Sequence, residues 1–467
     1  MSPAEPGRAA EPDRAAAQAR APERAPGLAA EQPRLSTGRL LRLSASAFVV
    51  LAAEPSFVLI DTAVVGHLGP LPLGALGIGG TLLSLVAMIG SFLDYGTTGR
   101  AARWFGAGQP DRAVEEGTTA SVLALVLGGV AVGGGELFAG PLLRLLAGGA
   151  GPIASAAETW FRIAVLGVPG ILLVLAGNGW MRGVQDTRRP VRIVLIANAL
   201  SAAASPVLVY PLGMGLAGSA VANVSAQAVG GFLFLRAAHG ERGRWRPRWP
   251  VLRAQLGVGR ELLLREAGFQ ASFLTAAAVA ARMGTAQVAA HQIGLELWEF
   301  SALLLDSFAV AAQSLVGAAL GGGDAGQARR TAWQVARYGL GAGIVFSAVL
   351  AAGWFVIPAA FTSSAAVRHQ AHLLWPYFIG LQPAAGVVFA LDGVLIGAGD
   401  VGFLRTVTLV AGVGVFVPIT LAALHFHWGI GGVWAGLAAF IGARLIGMLA
   451  RTARGRWAVT GVVPQGA

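Results

Sequence analysis

Residues 40–67 read LLRLSASAFVVLAAEPSFVLIDTAVVGH. A helix needs about 20 mostly apolar residues to cross a hydrocarbon core. This run exceeds that length, with one Arg near its start and two acids inside it. Eleven further apolar stretches follow, at 73–99, 113–138, 158–182, 190–210, 215–238, 255–283, 286–319, 328–357, 368–397, 403–424 and 430–453. None shows the short alternation of an outer-membrane barrel strand, so helices are the spanning solution left. The predicted fold is an all-α polytopic membrane protein with twelve transmembrane helices and the lipid bilayer as its surroundings. Composition agrees, with 55% hydrophobic and 12% charged residues in 467, whereas soluble domains carry about 25% charged. The absence of Cys excludes a disulfide-stapled secreted protein.

Arginine placement orders these spans. Loops with Arg100, Arg103 and Arg112, then Arg182, Arg188, Arg189 and Arg192, then Arg242 through Arg253, share one side of a twelve-span chain. Arg329, Arg330, Arg405, Arg451, Arg454 and Arg456 fall on that side too, and only Arg144, Arg282 and Arg368 interrupt the other. By the positive-inside rule both termini are cytoplasmic. The formal charge of +11 then reads as a topology signal, and no nucleic-acid partner is needed.

The chain also repeats itself. HLGPLPLGALGIGG (67–80) parallels RMGTAQVAAHQIGL (282–295), and FGAGQPDRA (105–113) parallels LGGGDAGQA (320–328), at an offset of 215. After a one-residue deletion, RGVQD (182–186) meets IGAGD (396–400) and GLAGSA (215–220) meets GIGGVW (429–434). Six spans per copy give both copies the same orientation, related by a two-fold axis along the membrane normal, with a cavity expected between them. The expected organisation is a disordered tail at 1–38, a six-helix bundle at 39–238 and a cytoplasmic linker at 239–254. A second bundle at 255–455 and a tail at 456–467 complete it.

An ionisable group at a span centre costs about 2.5–3.5 kcal/mol, so each one is a candidate site. Glu54 and Asp61 lie seven residues apart in span one, on one helix face and about 10 Å apart. Pro55 favours a kink beside Glu54, and no cation in that span neutralises the pair. Burial disfavours the charged form of an unpaired carboxyl, the property a proton-coupled carrier uses. In the second half, Arg265 is expected to pair with Glu296, Glu299 or Asp306 of span eight, forming a polar network that includes Glu266. Asp392 stands opposite Asn178 in the repeat, as a site near the midplane would, and Asp94 has no evident partner. His67, His291 and His372 read as interfacial or structural, and no metal-binding spacing occurs. Without a phosphate-binding loop or a nucleophile elbow, neither ATP hydrolysis nor any other enzyme activity is expected.

PSFVLIDTAVVGHLG (55–69), GWMRGVQD (179–186), AAHQIGLELWEF (289–300) and DSFAVAAQSLVG (306–317) together resemble the multidrug and toxic compound extrusion (MATE) family. LDGVLIGAGD (391–400) is similar to its DinF-like branch, and the resemblance covers nearly all of residues 38–455. It implies a V-shaped pair of six-helix bundles in the bacterial inner membrane, acting as a monomer. It implies export of amphipathic, often cationic organic compounds in exchange for H⁺ or Na⁺, with no other cofactor. Asp61 falls on the coupling acid of that branch, and Asn178 on an amide of the same pocket. The branch's NxxLD in span five is replaced by NALSAAASP (198–206), which puts Ser201 and Ser205 where Asn and Asp are usual. A proton network built on a span-five aspartate therefore does not carry over, and Glu54 is the candidate second carboxylate.

The mechanism expected from these residues has Asp61 and Glu54, deprotonated, drawing a lipophilic cation into the cavity. Protonation from outside then bends span one at Pro55 and releases it. H⁺ is preferred over Na⁺ because the acids are few and backed by Ser. The rivals are a Na⁺-coupled exporter, a channel, and a flippase for a lipid-linked saccharide or peptidoglycan precursor. A flippase would line its cavity with arginines, and Arg162 and Arg265 are the only interior candidates the sequence offers.

Overall fold

The computed structural model describes residues 37–240 and 248–462. The expected N-terminal tail therefore lies outside the described residues except at Thr37 and Gly38, which open the first helix. The linker is described only at its two ends, where span six runs on to Gly240 and span seven starts at Trp249.

Among the described residues, eleven helices are long and apolar enough to cross a membrane: Thr37–Gly66, Pro70–Gly106, Pro110–Leu146, Pro152–Gly183, Arg188–Val209, Leu216–Gly240, Thr285–Gly321, Ala325–Ala352, Ala365–Gly397, Val401–His425 and Gly429–Arg454. Span seven, Trp249–Met283, has the length at 35 residues. It falls short on hydropathy because it carries Arg253, Arg260, Glu261, Arg265, Glu266 and Arg282. Several of these charges are neutralised where they stand, as in Arg405–Glu261 at 2.6 Å and Arg260–Glu261 at 2.7 Å. Spans two, three and four begin on Pro70, Pro110 and Pro152, a position where the missing N–H costs nothing. Asp186 starts span five by accepting from the Arg188 and Arg189 backbone N–H at 3.0 and 3.1 Å. Span one continues unbroken through Pro55, span two breaks at Ser91, and span eleven contains a π-turn at Gly412–Phe416.

The spans form two six-helix lobes, and the repeat is written into their backbones. Gln185 and its repeat mate Gly399 both take left-handed φ, 61° and 75°, so the same turn is made even where a side chain makes it costly. At the Arg-rich end the lobes meet symmetrically. A Cβ on Gly106 would lie 1.9 Å from the Ala318 carbonyl oxygen, and one on Gly321 would lie 1.9 Å from that of Arg103. Positions 103 and 318, and 106 and 321, are repeat mates, so this is one contact made twice about the pseudo-two-fold axis. Gln313 donates to the Tyr95 carbonyl, and Ser314 donates to the Arg182 carbonyl at 2.8 Å, extending the seal toward the middle of the molecule.

This packing makes a prediction. Gly106→Val is expected to cost about 1–3 kcal/mol through overpacking, seen as a lowered thermal midpoint in detergent. Gly129, with nothing within 4 Å of its added Cβ, should tolerate the same change. Equal effects at both positions would refute the close-contact reading.

Candidate functional site

A cavity of about 830 Å³ is lined by spans one, two, four, five and six of the first lobe and by span eight of the second. Asp61 forms part of its wall and is 4% exposed. Its two carboxylate oxygens accept from Ser205 at 2.7 Å and Ser219 at 2.6 Å. Trp160 donates to Ser219 in turn at 3.3 Å, which fixes the hydroxyl from behind. Asp61 is therefore not the unpartnered acid the sequence suggests. It is held by two hydroxyls, each able to donate to a carboxylate or to accept from a carboxylic acid.

Asn178, Ser201 and Asn223 line the same cavity, and each has a buried oxygen with no hydrogen-bond partner among the described residues. Such atoms normally find partners, so these three are available to a ligand, an ion or water. Glu54 lines the same wall nearly two helical turns before Asp61 and is exposed to the cavity. Glu296 and Glu299 face the same space from the second lobe, with Gln292 donating to Glu296 at 2.9 Å. Among the described residues Arg182 is the one lining cation, and it is bound to Asp94 at 2.6 Å. Five lining acids against one paired arginine make an electronegative chamber with apolar walls, which focuses its field on cations.

The polar network expected in the second lobe divides into separate parts. Arg265 does not pair with a span-eight acid. It lies 3.4 Å from Asp392, which also binds Arg444 at 2.5 Å. Phe269 and Phe440 supply ring faces to Arg444, at 4.9 and 5.7 Å from their centroids. Asp392 is thus locked inside its lobe and, unlike its repeat mate Asn178, does not line the cavity. Asp306 accepts from Tyr95 of the first lobe at 2.9 Å, across the junction. Glu266 makes no hydrogen bond or ion pair among the described residues. The reason for the regrouping is rotational: neighbours in sequence leave a helix in different directions.

Other side chains escaped the sequence reading. Ser219 carried no signal beyond being a small polar residue in span six. Arg182 sat inside a recognised motif, but its partner Asp94 lies 88 residues away. The glycines of that motif explain the approach: a Cβ on Gly179 would lie 2.4 Å from the Asp94 carbonyl oxygen, and one on Gly183 would lie 2.6 Å from the Ala101 Cβ. Arg100, read as a loop marker, makes a two-pronged pair with fully buried Glu116 at 2.7 and 2.9 Å. Arg162, expected inside, is 41% exposed and paired with Glu136 and Glu158, whereas Arg103, Arg182 and Arg444 are the arginines that are buried. His291, read as interfacial or structural, is buried and packed edge-on to Trp434. Among the described residues no group of three or more His, Cys, Asp or Glu could hold a metal ion.

The family model described as MatE matches residues 46–207 and again 262–424, one match in each half of the repeat. The chain is 30% identical over 443 residues to Protein DETOXIFICATION 44, chloroplastic, of Arabidopsis thaliana, covering 91% of this chain and 84% of that one. It is 31% identical over 417 residues to DNA damage-inducible protein F of Escherichia coli, covering 85% and 87%. A Xanthomonas campestris relative named probable multidrug resistance protein NorM is 27% identical over 396 residues, covering 81% and 85%. Among solved structures, a MATE protein in the bent conformation superposes with a TM-score of 0.83 at 20% identity, covering 90% of this chain and 96% of that one. The Vibrio cholerae MATE transporter VcmN in the bent form gives 0.81 at 21%, with the same coverage. These likenesses extend over both lobes, and the chain belongs to the MatE family of membrane transporters.

Proposed function

We propose that this protein is a proton-coupled antiporter of the bacterial inner membrane that exports amphipathic, cationic organic compounds by alternating access. The observation that carries the reading is Asp61, buried and bound by Ser205 and Ser219, in the wall of a chamber whose one lining arginine is already paired. Deprotonated Asp61, with Glu54 on the same wall, holds a lipophilic cation. Arrival of a proton removes the charge: the new O–H donates to one serine hydroxyl, which turns to accept it, while the other serine goes on donating to the remaining oxygen. The cation then loses its counter-charge and leaves. A membrane voltage acts on each transferred charge with about 2.3 kcal/mol per 100 mV, ample to bias the exchange.

The seal between the lobes lies at the Arg-rich end, which the positive-inside rule makes cytoplasmic. The cavity is therefore read as facing outward, with a rocking of the lobes needed to expose it inward. Pro55, between Glu54 and Asp61 in an otherwise regular helix, is the proposed bending point. The protein is proposed to act as a monomer, since each chain carries both lobes. A Na⁺-coupled reading draws support from the unpartnered oxygens of Asn178, Ser201 and Asn223 near Asp61. A flippase for anionic lipid-linked substrates is disfavoured, because such a ligand would enter a chamber of acids.

Proteoliposomes separate these readings. With an imposed pH gradient and no Na⁺, a fluorescent lipophilic cation is expected to move against its concentration gradient. Movement that needs Na⁺ and ignores pH would replace H⁺ by Na⁺. Movement of anionic lipid alone would overturn the proposal.

A further inference from the structure

We propose that residues 455–461 form a strap that locks the two lobes together at the Arg-rich end, with Arg103 as the key that fits it. The inference rests on the alternating-access reading, since a lock matters only where the lobes part. Span twelve ends at Gly455 in a left-handed turn, φ 66°, and the chain folds back over its own lobe. Trp457 is buried and donates to the Thr452 carbonyl at 3.1 Å. Arg329 reaches the Gly455 carbonyl at 3.3 Å. The Gly461 N–H donates to the Leu320 carbonyl at 3.0 Å. These contacts fasten the strap to the second lobe at both of its ends.

Arg103 enters from the first lobe. It is 1% exposed, and its guanidinium donates to the Val459 carbonyl at 3.2 Å, the Gly461 carbonyl at 2.5 Å and the Ala398 carbonyl at 2.7 Å. No acidic side chain pairs with it among the described residues. A buried guanidinium without a carboxylate is costly unless hydrogen bonds satisfy it, and here only backbone carbonyls of the opposite lobe do so. The arrangement therefore has two good states. With the lobes together, the charge is held by carbonyls; with the lobes apart, it is held by water. Closed lobes without the strap would leave the guanidinium with the Ala398 carbonyl as its remaining protein acceptor, so the strap adds two bonds that favour closure. The repeat underlines the point, because the mate of Arg103 is Ala318. The glycine seal is symmetric, and the key is an addition to one lobe only.

The chain contains no Cys, so Ser314→Cys supplies a single thiol within the seal, where Ser314 is buried and bonds across the junction. In nanodiscs, a hydrophilic maleimide should label it slowly. Arg103→Gln, or ending the chain after Arg454, is expected to raise the labelling rate about tenfold, the factor for a net loss of one charge-assisted hydrogen bond. The two changes together should exceed the larger single effect only slightly, since both remove one lock. Rates within twofold of the parent in both variants would overturn the strap, and if Arg103→Gln fails to fold, the truncation decides alone. In the Ser314→Cys parent in proteoliposomes, reversing the pH gradient should also change labelling. No response there would refute alternating access itself, whereas a response in the parent with unaltered variants would refute only the strap.

Discussion

Asp61→Asn is expected to reduce drug-dependent proton release in proteoliposomes to the level of empty liposomes, while leaving the fold intact. Asn has nearly the shape of Asp and keeps one acceptor oxygen for a serine hydroxyl. Its amide can donate to the other, since Ser both donates and accepts. The bonds to Ser205 and Ser219 can therefore be replaced, and the thermal midpoint should barely move. What disappears is the titratable charge. A normal midpoint with no coupled transport would place Asp61 in the mechanism, and wild-type exchange would remove it from the mechanism. Glu54→Gln should weaken cation binding with less effect on coupling, because Glu54 is exposed to the cavity and held by no hydroxyl pair.

Asp392→Ala should produce the largest loss of stability. The change leaves two guanidiniums, Arg444 at 1% and Arg265 at 13% side-chain exposure, without their ion-pair partner, beside the ring faces of Phe269 and Phe440. Removing one partner of a buried ion pair costs about 3–5 kcal/mol, and here one acid serves two cations. The expected readout is poor yield and a sharply lowered thermal midpoint. The double variant Asp392→Leu with Arg444→Met should recover the part of the loss that comes from Arg444, because apolar replacements of buried pairs are often neutral, while Arg265 stays without its acid. It should also transport. A well-folded double variant without transport would show that Asp392 takes part in coupling and is more than a structural anchor.

The spans and the repeat were legible because both are properties of the chain in one dimension. Span length is counted along the sequence, and the offset of 215 can be read by laying the chain over itself. Span seven shows the limit of that reading. Its charges lower its hydropathy, and pairing within the span and with residues of other helices makes them tolerable. Asp61 was legible for a related reason: an acid in an apolar run stands out wherever it ends up. Ser219 was not, since a serine among alanines and glycines gives no sign that it lies 2.6 Å from a carboxylate 158 positions earlier.

The pairing of charges belonged to the tertiary structure alone. Arg265 has Glu266 beside it in sequence, yet its partner is Asp392. Asp94 finds Arg182 because two glycines let their helices touch. Arg103 looked like one loop marker among many until three carbonyls from the other lobe closed around it. By itself the sequence determined that these segments are membrane helices, how many there are, and that they come in two copies. The physical reason is that burial of apolar length is a local, additive quantity. Which charge meets which was decided by the rotation and approach of packed helices, where close contact at small residues fixes angles that no periodicity along the chain contains.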